Sequence, residues 1–233
     1  MLPIAILAGG LATRLGPLTE TIPKSLIPID GLPFVAHQLR LLQSRGIRHV
    51  IVCVGHLGEM IEQAVGDGSA FGVKVEYSYD GAKLLGTAGA IRAALPKLGE
   101  SFFVMYGDSY LACDYAVIEQ EFSQCGKLGL MTVFRNNGQW DTSNVEFEDG
   151  DILAYSKKNR TSRMHYIDYG LGVFRAEAFS RMRATDLADV YAELLQAGEL
   201  AAMDVHERFY EMGSPAGLKE MTSFLSRRGD VRR

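Results

Sequence analysis

The chain has 233 residues, of which 47% are hydrophobic and 22% are charged, and its formal net charge is −4. This composition is typical of a globular protein with one large domain, and the charge excludes a global basic field that would attract nucleic acid. No apolar run approaches the ~18 residues of a membrane span. Because Met1 leads directly into the first predicted strand and the three cysteines lack metal or redox spacing, we expect no signal peptide and a reducing, cytoplasmic location.

The first half of the chain alternates predicted strands and helices. Residues 102–106 form a continuous apolar run, which is typical of a strand buried on both faces. The predicted strands are 4–7, 49–54, 73–79, 102–106 and 128–134, and the predicted helices are 33–44, 59–65, 87–98 and 114–124, with Thr87 as a candidate helix cap. This order predicts an α/β, Rossmann-like three-layer sandwich, in which helices cover both faces of a mostly parallel mixed sheet.

The pattern changes near residue 135. The run Glu148-Asp-Gly-Asp151 separates two alternating segments and predicts a β-hairpin. The predicted strands of this half are 144–148, 152–156, 167–174, 202–206 and 209–212, and the predicted helices are 186–197 and 215–226. We therefore expect a small β-rich part to follow the parallel sheet.

A glycine-rich loop follows the first strand. Gly9 and Gly10 open it, Arg14 lies within it, and Lys24 follows ten residues later. Glycines let backbone N–H groups crowd around an anion, and the two cations add positive charge where phosphates would lie. The run matches neither the P-loop nor the dinucleotide fingerprint Gly-x-Gly-x-x-Gly. The missing fingerprint argues against a nicotinamide-dependent oxidoreductase. It predicts a nucleoside triphosphate site, although a plain strand-to-loop connection also accounts for the glycines.

Two further segments fall at the carboxyl ends of predicted strands, where open parallel sheets bind their ligands. The first is the turn 80–86, and the second is Gly107-Asp108 after strand 102–106. An aspartate directly after a buried strand suits Mg²⁺, a hard cation that takes carboxylate and phosphate oxygens. Asp108 could equally cap the following turn.

Several longer runs together resemble the sugar-1-phosphate nucleotidyltransferases, which are also called nucleoside-diphosphate-sugar pyrophosphorylases. The resemblance covers nearly the whole chain in the right order, and it is closest to the compact bacterial heptose-1-phosphate guanylyltransferases and N-acetylmuramate-1-phosphate uridylyltransferases. The matching runs are Leu7-Ala-Gly-Gly-Leu-Ala-Thr-Arg-Leu-Gly-Pro-Leu-Thr19, Pro23-Lys-Ser-Leu-Ile-Pro-Ile29, Leu32-Pro33, Leu85-Gly-Thr-Ala-Gly-Ala90, Tyr106-Gly-Asp-Ser109, the lysine pair 157–158, Tyr169-Gly-Leu171 and Tyr210-Glu-Met-Gly213.

The resemblance implies the nucleotide-diphospho-sugar transferase fold and a Mg²⁺-dependent reaction. A nucleoside triphosphate and a sugar 1-phosphate would give a nucleoside-diphosphate sugar and pyrophosphate, in a pathway of cell-surface polysaccharide synthesis. It also implies a single domain over residues 1–233, with an NTP-binding half (1–134) and a sugar-phosphate-binding half (135–233). The partners would be the two small substrates, without nucleic acid or membrane, and a homo-oligomer is expected.

The resemblance assigns a role to each matching residue. Arg14 would hold the departing β- and γ-phosphates, Lys24 would sit near the α-phosphate, and Asp108 would bind Mg²⁺. The nucleotide site would comprise Leu7, Ala8, Gly9, Gly10, Arg14, Lys24, Asp80 and Gly86. The sugar-phosphate site would comprise Lys158, Tyr169 and Gly170, and the second metal ligand would be Glu211.

Some positions depart from the family pattern. Glu211 stands where the family has an aspartate, and its carboxylate extends one methylene further. Lys157 occupies the place of a glutamate, so either lysine of the pair could grip the sugar phosphate. These departures motivate an alternative, a related chain that binds nucleotide or sugar without turnover. Trp140 either packs over the sugar or forms a subunit contact.

Overall fold

The first half of the chain supplies the parallel strands of the sheet. The computed structural model describes residues 1–10, 21–180 and 183–230. Its parallel strands are β1 (Ile4–Leu7), β4 (His49–Val54), β5 (Lys74–Tyr79) and β6 (Ser101–Tyr106). They lie in the order β5-β4-β1-β6, with Leu7 beside both Cys53 and Tyr106. The strands therefore end together at one edge of the sheet.

The helices of this half pack on both faces of the strands. They are α1 (Phe34–Ser44), α2 (Gly58–Val65), α3 (Gly86–Leu98) and α4 (Tyr115–Cys125). In β1, Ile4 and Ile6 face one apolar cluster, which includes residues of α1, α2 and α4, while Ala5 faces a second cluster that contains α3. Because successive strand residues point to opposite faces, an entirely apolar strand serves both layers. The predicted three-layer α/β class is confirmed.

The second half extends the same sheet with antiparallel strands. β11 (Tyr166–Arg175) pairs antiparallel with both β6 and β8 (Gly129–Arg135), and β12 (Leu200–Val205) runs parallel to β8. The predicted hairpin is present as β9 (Val145–Glu148) and β10 (Asp151–Tyr155). The remaining helices are α5 (Glu177–Ser180), α6 (Leu187–Gln196) and α7 (Pro215–Asp230). In the part of the chain that the structure describes, no helix is long and apolar enough to cross a membrane.

Two small sheets contain three short strands that the sequence did not predict. β2 (Pro28–Ile29) pairs with β3 (Leu32–Pro33), and β7 (Ser109–Leu111) pairs with β13 (Phe209–Glu211), which matches the predicted strand 209–212. β2 and β3 have only two residues each, and β7 has three, so these strands are too short to show a periodicity. The second sheet pairs β7, which follows β6, with β13, which precedes α7. This pairing helps to form the candidate site described below.

Thr87 has a different role from the one predicted. Helix α3 begins at Gly86, and no side chain caps it. The Oγ1 of Thr87 instead accepts a hydrogen bond from the N–H of Leu187, at 2.7 Å, where α6 begins. Asp186 caps the same helix by accepting from the N–H of Ala188. Tertiary packing thus directs this hydroxyl to a helix one hundred residues away.

Candidate active site

A cavity of about 240 Å³ opens at the edge where the parallel strands end. The ends of β1, β4, β5 and β6 and the start of α3 supply its walls, as expected for an open parallel sheet. Eight residues that the sequence predicts for the nucleotide or metal site line it: Leu7, Ala8, Gly9, Gly10, Lys24, Asp80, Gly86 and Asp108. The other lining residues are Ser25, Cys53, Leu84, Thr87, Ala90, Tyr106 and Gly107. Arg14 lies outside the described residues.

The loops that follow β1 and β4 approach each other closely beside the cavity. A Cβ atom added to Gly9 would lie 3.0 Å from the backbone nitrogen of Gly55, and one added to Gly55 would lie 2.8 Å from the carbonyl oxygen of Gly9. Larger residues therefore require the ends of β1 and β4 to move apart. The glycine run predicted to approach phosphates also serves the packing of the strand ends.

Position 86 requires a glycine both because of its backbone conformation and because of a close neighbouring carbonyl. Its φ is +74°, and an added Cβ would lie 2.5 Å from the carbonyl oxygen of Thr185. The N–H of Ala88 donates to that same carbonyl, at 3.0 Å. The start of α3 is thereby held against the segment that precedes α6.

Lys24 and Asp108 form an ion pair inside the cavity. The Nζ of Lys24 lies 2.8 Å from Oδ2 of Asp108, and the two side chains are 16% and 25% exposed. The other carboxylate oxygen, Oδ1, has a long contact of 3.5 Å with the hydroxyl of Ser109. The preceding N–H, that of Gly107, donates to the carbonyl of Leu7 at 2.9 Å and ties this turn to β1. The cavity lining therefore carries a cation and an anion in direct contact.

Asp80 supplies a second carboxylate on the opposite side of the cavity. Its backbone N–H donates to Val54, and its Oδ2 accepts from the N–H of Leu85 at 3.3 Å. Burial raises the pKa of the Asp80 carboxyl, and the bond from Leu85 offsets part of the rise. Burial, followed by the charge of Asp80, also raises the pKa of the Cys53 thiol to about 12, so this thiol is not a nucleophile at neutral pH.

Lys157, rather than Lys158, approaches the cavity. The Nζ of Lys157 lies 3.4 Å from the hydroxyl of Tyr106 and 5.4 Å from the centre of that ring, and Tyr106 lines the cavity. Both lysines are exposed, and the backbone N–H of Lys158 donates to the hydroxyl of Ser156. The geometry favours Lys157 between the two lysines that the sequence left open.

Asp168 lies next to Lys157 and was not singled out by the sequence. Its Oδ1 accepts from the N–H of Gly170 at 3.0 Å, and burial raises the pKa of its carboxyl while the charge of Lys157 lowers it. Gly170 has a φ of +93° and lies where the register of β11 shifts between Asp168 and Gly172. This β-bulge interrupts the strand pairing directly after Asp168.

Tyr169 lies in the core, which differs from the expectation that it lines a sugar pocket. Only 2% of its surface is exposed. Its ring packs with those of Phe134 and Phe209, with centroids 6.3 and 6.2 Å apart. The Tyr169 ring therefore packs in the core, and Tyr169 is not among the residues that line the cavity.

Glu211 lies on the strand that pairs with the segment after Asp108. Its Cα is paired with that of Ser109, and the N–H of Met212 donates to the carbonyl of Asp108 at 2.9 Å. The Glu211 carboxylate accepts hydrogen bonds from the N–H of Gly213 and, at 3.2 Å, from the hydroxyl of Ser214. Among the described residues no group of three or more His, Cys, Asp or Glu side chains could hold a metal ion. Any metal here would rest on the pair of carboxylates and on substrate oxygens.

Trp140 takes part in a stack of side chains. The guanidinium of Arg208 lies 4.6 Å from the Trp140 ring centre and 4.7 Å from that of Tyr210, which stacks on Phe224 at 4.0 Å. Cation–π contacts of this kind stabilise neighbouring loops. The tryptophan thus connects the turn after β8 to β13 and α7 within one chain.

The sequence missed some residues that line the cavity. Tyr106 was assigned to the core by default, although it directly precedes Gly107-Asp108 at the end of a strand. Its position at the strand end was the sequence signal that could have placed Tyr106 at the cavity. Leu84 and Thr87 flank the predicted Gly86, and only the packing of α3 against the strand ends shows that they face the cavity.

A doubly wound α/β sheet with a cavity at its carboxyl edge defines a class of small-ligand-binding proteins. The sequence profile of the Nucleotidyl transferase family matches residues 4–224. The chain belongs to this family, and the resemblance found in the sequence is confirmed.

Curated relatives act on different sugars and bases. The chain is 29% identical over 221 residues to the mannose-1-phosphate guanylyltransferase catalytic subunit beta of Xenopus tropicalis, covering 90% of this chain and 61% of that one. It is 33% identical over 196 residues to the N-acetylmuramate alpha-1-phosphate uridylyltransferase of Neisseria meningitidis, covering 78% and 79%. It is 38% identical over 213 residues to the UTP–glucose-1-phosphate uridylyltransferase of Synechocystis, covering 83% and 55%. The chain thus spans about 61% of the length of the mannose relative.

Solved structures share the fold. A putative glucose-1-phosphate thymidylyltransferase from Bacillus anthracis superposes with a TM-score of 0.84 at 21% identity, covering 96% of this chain and 95% of that one. HddC from Yersinia pseudotuberculosis superposes with a TM-score of 0.82 at 21% identity, covering 97% and 100%. The fold predicted by resemblance is therefore the one observed.

Proposed function

We propose that this protein transfers a nucleotidyl group from a nucleoside triphosphate to a sugar 1-phosphate. The observation that carries the proposal is the Lys24–Asp108 pair, which lines the same cavity as Gly9 and Gly10 in the loop after β1. An oxygen of the sugar phosphate attacks the α-phosphorus, the bond from that phosphorus to the bridging oxygen breaks, and pyrophosphate leaves. The substrate supplies the nucleophile, so alignment and charge neutralisation are the protein's tasks.

The cations of the site offset the repulsion between the two phosphates. Lys24 is placed to contact the α-phosphate, and Arg14 keeps the role on the departing pyrophosphate that the resemblance gives it. Asp108 and Glu211 would hold Mg²⁺: Lys24 contacts only Oδ2 of Asp108, and Glu211 lies on the paired strand. Carboxylate oxygens are suitable ligands for this ion. When bound, Mg²⁺ would supply further neutralisation of phosphate charge.

The sugar-phosphate half of the site, within residues 135–233, centres on Lys157. Both lysines of the pair are exposed, but it is the ammonium of Lys157 that lies beside the Tyr106 ring at the cavity. Asp168 next to it can accept hydrogen bonds from sugar hydroxyls. We therefore assign the sugar phosphate to Lys157 and place the sugar between Gly170 and the β6 end.

Asp80 supports guanine as the base. An ionised carboxylate only accepts hydrogen bonds. Guanine offers it two adjacent donors, N1–H and the 2-amino group, whereas the single N3–H of uracil is flanked by two carbonyl oxygens that would repel it. GTP is therefore the proposed donor, and the heptose 1-phosphate acceptor and a homo-oligomeric state follow the resemblance. A cytoplasmic location is proposed from the cysteine usage.

A release assay tests the proposed function. Purified protein is incubated with Mg²⁺, each of the common nucleoside triphosphates and a panel of sugar 1-phosphates, and pyrophosphate release is measured. We expect release to require both substrates. Nucleotide binding without release from any pair would instead identify a non-catalytic binding relative, the alternative that Glu211 and Lys157 suggest.

A further inference from the structure

Gln38 is a fully buried polar side chain on a helix face that is otherwise apolar. It lies in α1, and 0% of its surface is exposed. Its helical neighbours Val35, Leu39 and Leu42 belong to the apolar core on one face of the sheet. An amide in such a place requires hydrogen bonds to offset the loss of its hydration.

The amide of Gln38 reaches across the core to the segment that carries Asp108. Its Nε2 donates to the carbonyl of Ser109 at 2.7 Å and to that of Tyr106 at 3.3 Å. Both neighbours are acceptors, so the orientation of the amide is determined: the nitrogen must face them. The two carbonyls lie on either side of Gly107 and Asp108, and the single amide thus brackets the turn.

We propose that Gln38 is a positioning residue, which sets where the Asp108 carboxylate lies relative to Lys24. Two backbone bonds also hold the turn, from the N–H of Gly107 to the carbonyl of Leu7 and from the N–H of Met212 to the carbonyl of Asp108. Neither bond joins the end of β6 to the beginning of β7. The Gln38 side chain makes that connection. The inference rests on the proposed function of Asp108.

A displacement of the turn would affect the reaction by moving the Asp108 carboxylate. A displacement of about 1 Å in a catalytic group can cost on the order of 10²-fold in rate, because charge stabilisation depends on alignment. The carboxylate contacts Lys24 at 2.8 Å, and so a shifted turn lengthens that contact. We expect turnover to be affected more than substrate binding, since Gln38 lies behind the cavity wall rather than in it.

Two variants separate positioning from simple packing. Gln38→Met keeps the shape of the side chain but removes both donors. Gln38→Glu keeps one donor only while its carboxyl is protonated, and burial of that carboxyl shifts its protonation toward neutral pH. Leu42→Ala is the matched control, because Leu42 is buried on the same helix and makes no hydrogen bond to the turn.

The experiment measures kcat, the KM values of both substrates and the thermal unfolding temperature for each variant. We expect Gln38→Met to lower kcat by about 10-fold to 100-fold with KM changed by less than about threefold. For Gln38→Glu, the ratio of kcat to the wild-type value should rise as pH falls from 8 to 6, while the Gln38→Met ratio stays level. Leu42→Ala should lower the unfolding temperature and leave kcat within about threefold of wild type.

Several results would overturn the inference. They are a wild-type kcat in Gln38→Met, an equal loss of kcat in Leu42→Ala at the same loss of stability, or a Gln38→Glu ratio that does not change with pH. If Gln38→Met does not fold, the pH series of Gln38→Glu decides alone. A wild-type protein that releases no pyrophosphate with any substrate pair refutes the proposed function itself, which is a different outcome from an active enzyme indifferent to Gln38.

Discussion

The Nζ of Lys24 lies 2.8 Å from Oδ2 of Asp108, although 84 residues separate the two in the chain. Both side chains are only partly exposed at the wall of the cavity. A partly buried ion pair is favourable only when each charge keeps its partner. Substrate phosphates would draw Lys24 toward them and leave an oxygen of Asp108 for a cation, so the pair holds both groups ready for charged ligands.

Loss of either member of this pair should reduce turnover strongly. We expect Lys24→Ala and Asp108→Ala each to lower kcat for pyrophosphate release by at least about 10²-fold, because each removes a group that stabilises charge in the transition state. Lys74→Ala is the control, since Lys74 pairs with Glu76 at the surface, at 2.5 Å. A near-normal rate in either site variant would remove the role assigned to that residue.

Glu211→Gln should weaken the dependence on Mg²⁺. The amide oxygen can still accept from the N–H of Gly213, and the amide nitrogen can donate to the hydroxyl oxygen of Ser214, but the negative charge that attracts a metal is removed. We expect the Mg²⁺ concentration for half-maximal rate to rise, with little change in the unfolding temperature. An unchanged Mg²⁺ titration would limit Glu211 to its hydrogen bonds at the start of α7.

Substitutions of the two adjacent lysines should differ sharply in their effect on KM for the sugar 1-phosphate. Lys157→Met should raise KM for the sugar 1-phosphate by about 10-fold, the scale of a lost hydrogen bond to a charged group. Lys158→Met is its matched control and should change KM by less than about twofold, because both side chains are exposed but the contact with the cavity residue Tyr106 comes from Lys157. The reverse pattern would return the sugar-phosphate role to Lys158.

Asp80 should set the preference for the base. With guanine as its partner, we expect kcat/KM to fall by about 10-fold when inosine triphosphate, which lacks the 2-amino group, replaces GTP. Asp80→Asn should reduce the difference between the two nucleotides. Efficient use of UTP by the wild type, unaffected by Asp80→Asn, would contradict the guanine proposal and leave the transfer reaction intact.

Asp168→Asn should stabilise the fold at neutral pH. Burial raises the pKa of Asp168 above its usual value of 3.8, so the folded state binds its proton more tightly than the unfolded chain. Unfolding free energy therefore falls as pH rises through that window, and the penalty is complete above the folded-state pKa. We expect the advantage of Asp168→Asn to shrink toward pH 4 in thermal unfolding. The exposed Asp151→Asn provides the control, and an advantage that is constant with pH would argue against a buried charge.

Local patterns were sufficient for most of the fold. Strands 4–7 and 49–54 have the predicted bounds, because apolar β-branched runs between turn residues encode buried strands without distant information. The short strand β7 was predicted as a turn. Its pairing partner, β13, lies about one hundred residues further on, and three residues carry no periodicity of their own.

The sequence by itself determined the order of strands and helices, the glycine loop and the charged residues at the strand ends, since parallel strands bring those ends to one edge. Tertiary structure decided which side chains meet. It paired Lys24 with Asp108, turned Lys157 rather than Lys158 toward the cavity, and placed the Tyr169 ring in the core. The reason is physical: strand register, a bulge at Gly170 and contacts between distant elements set side-chain direction, and none of these has a local signal in the chain.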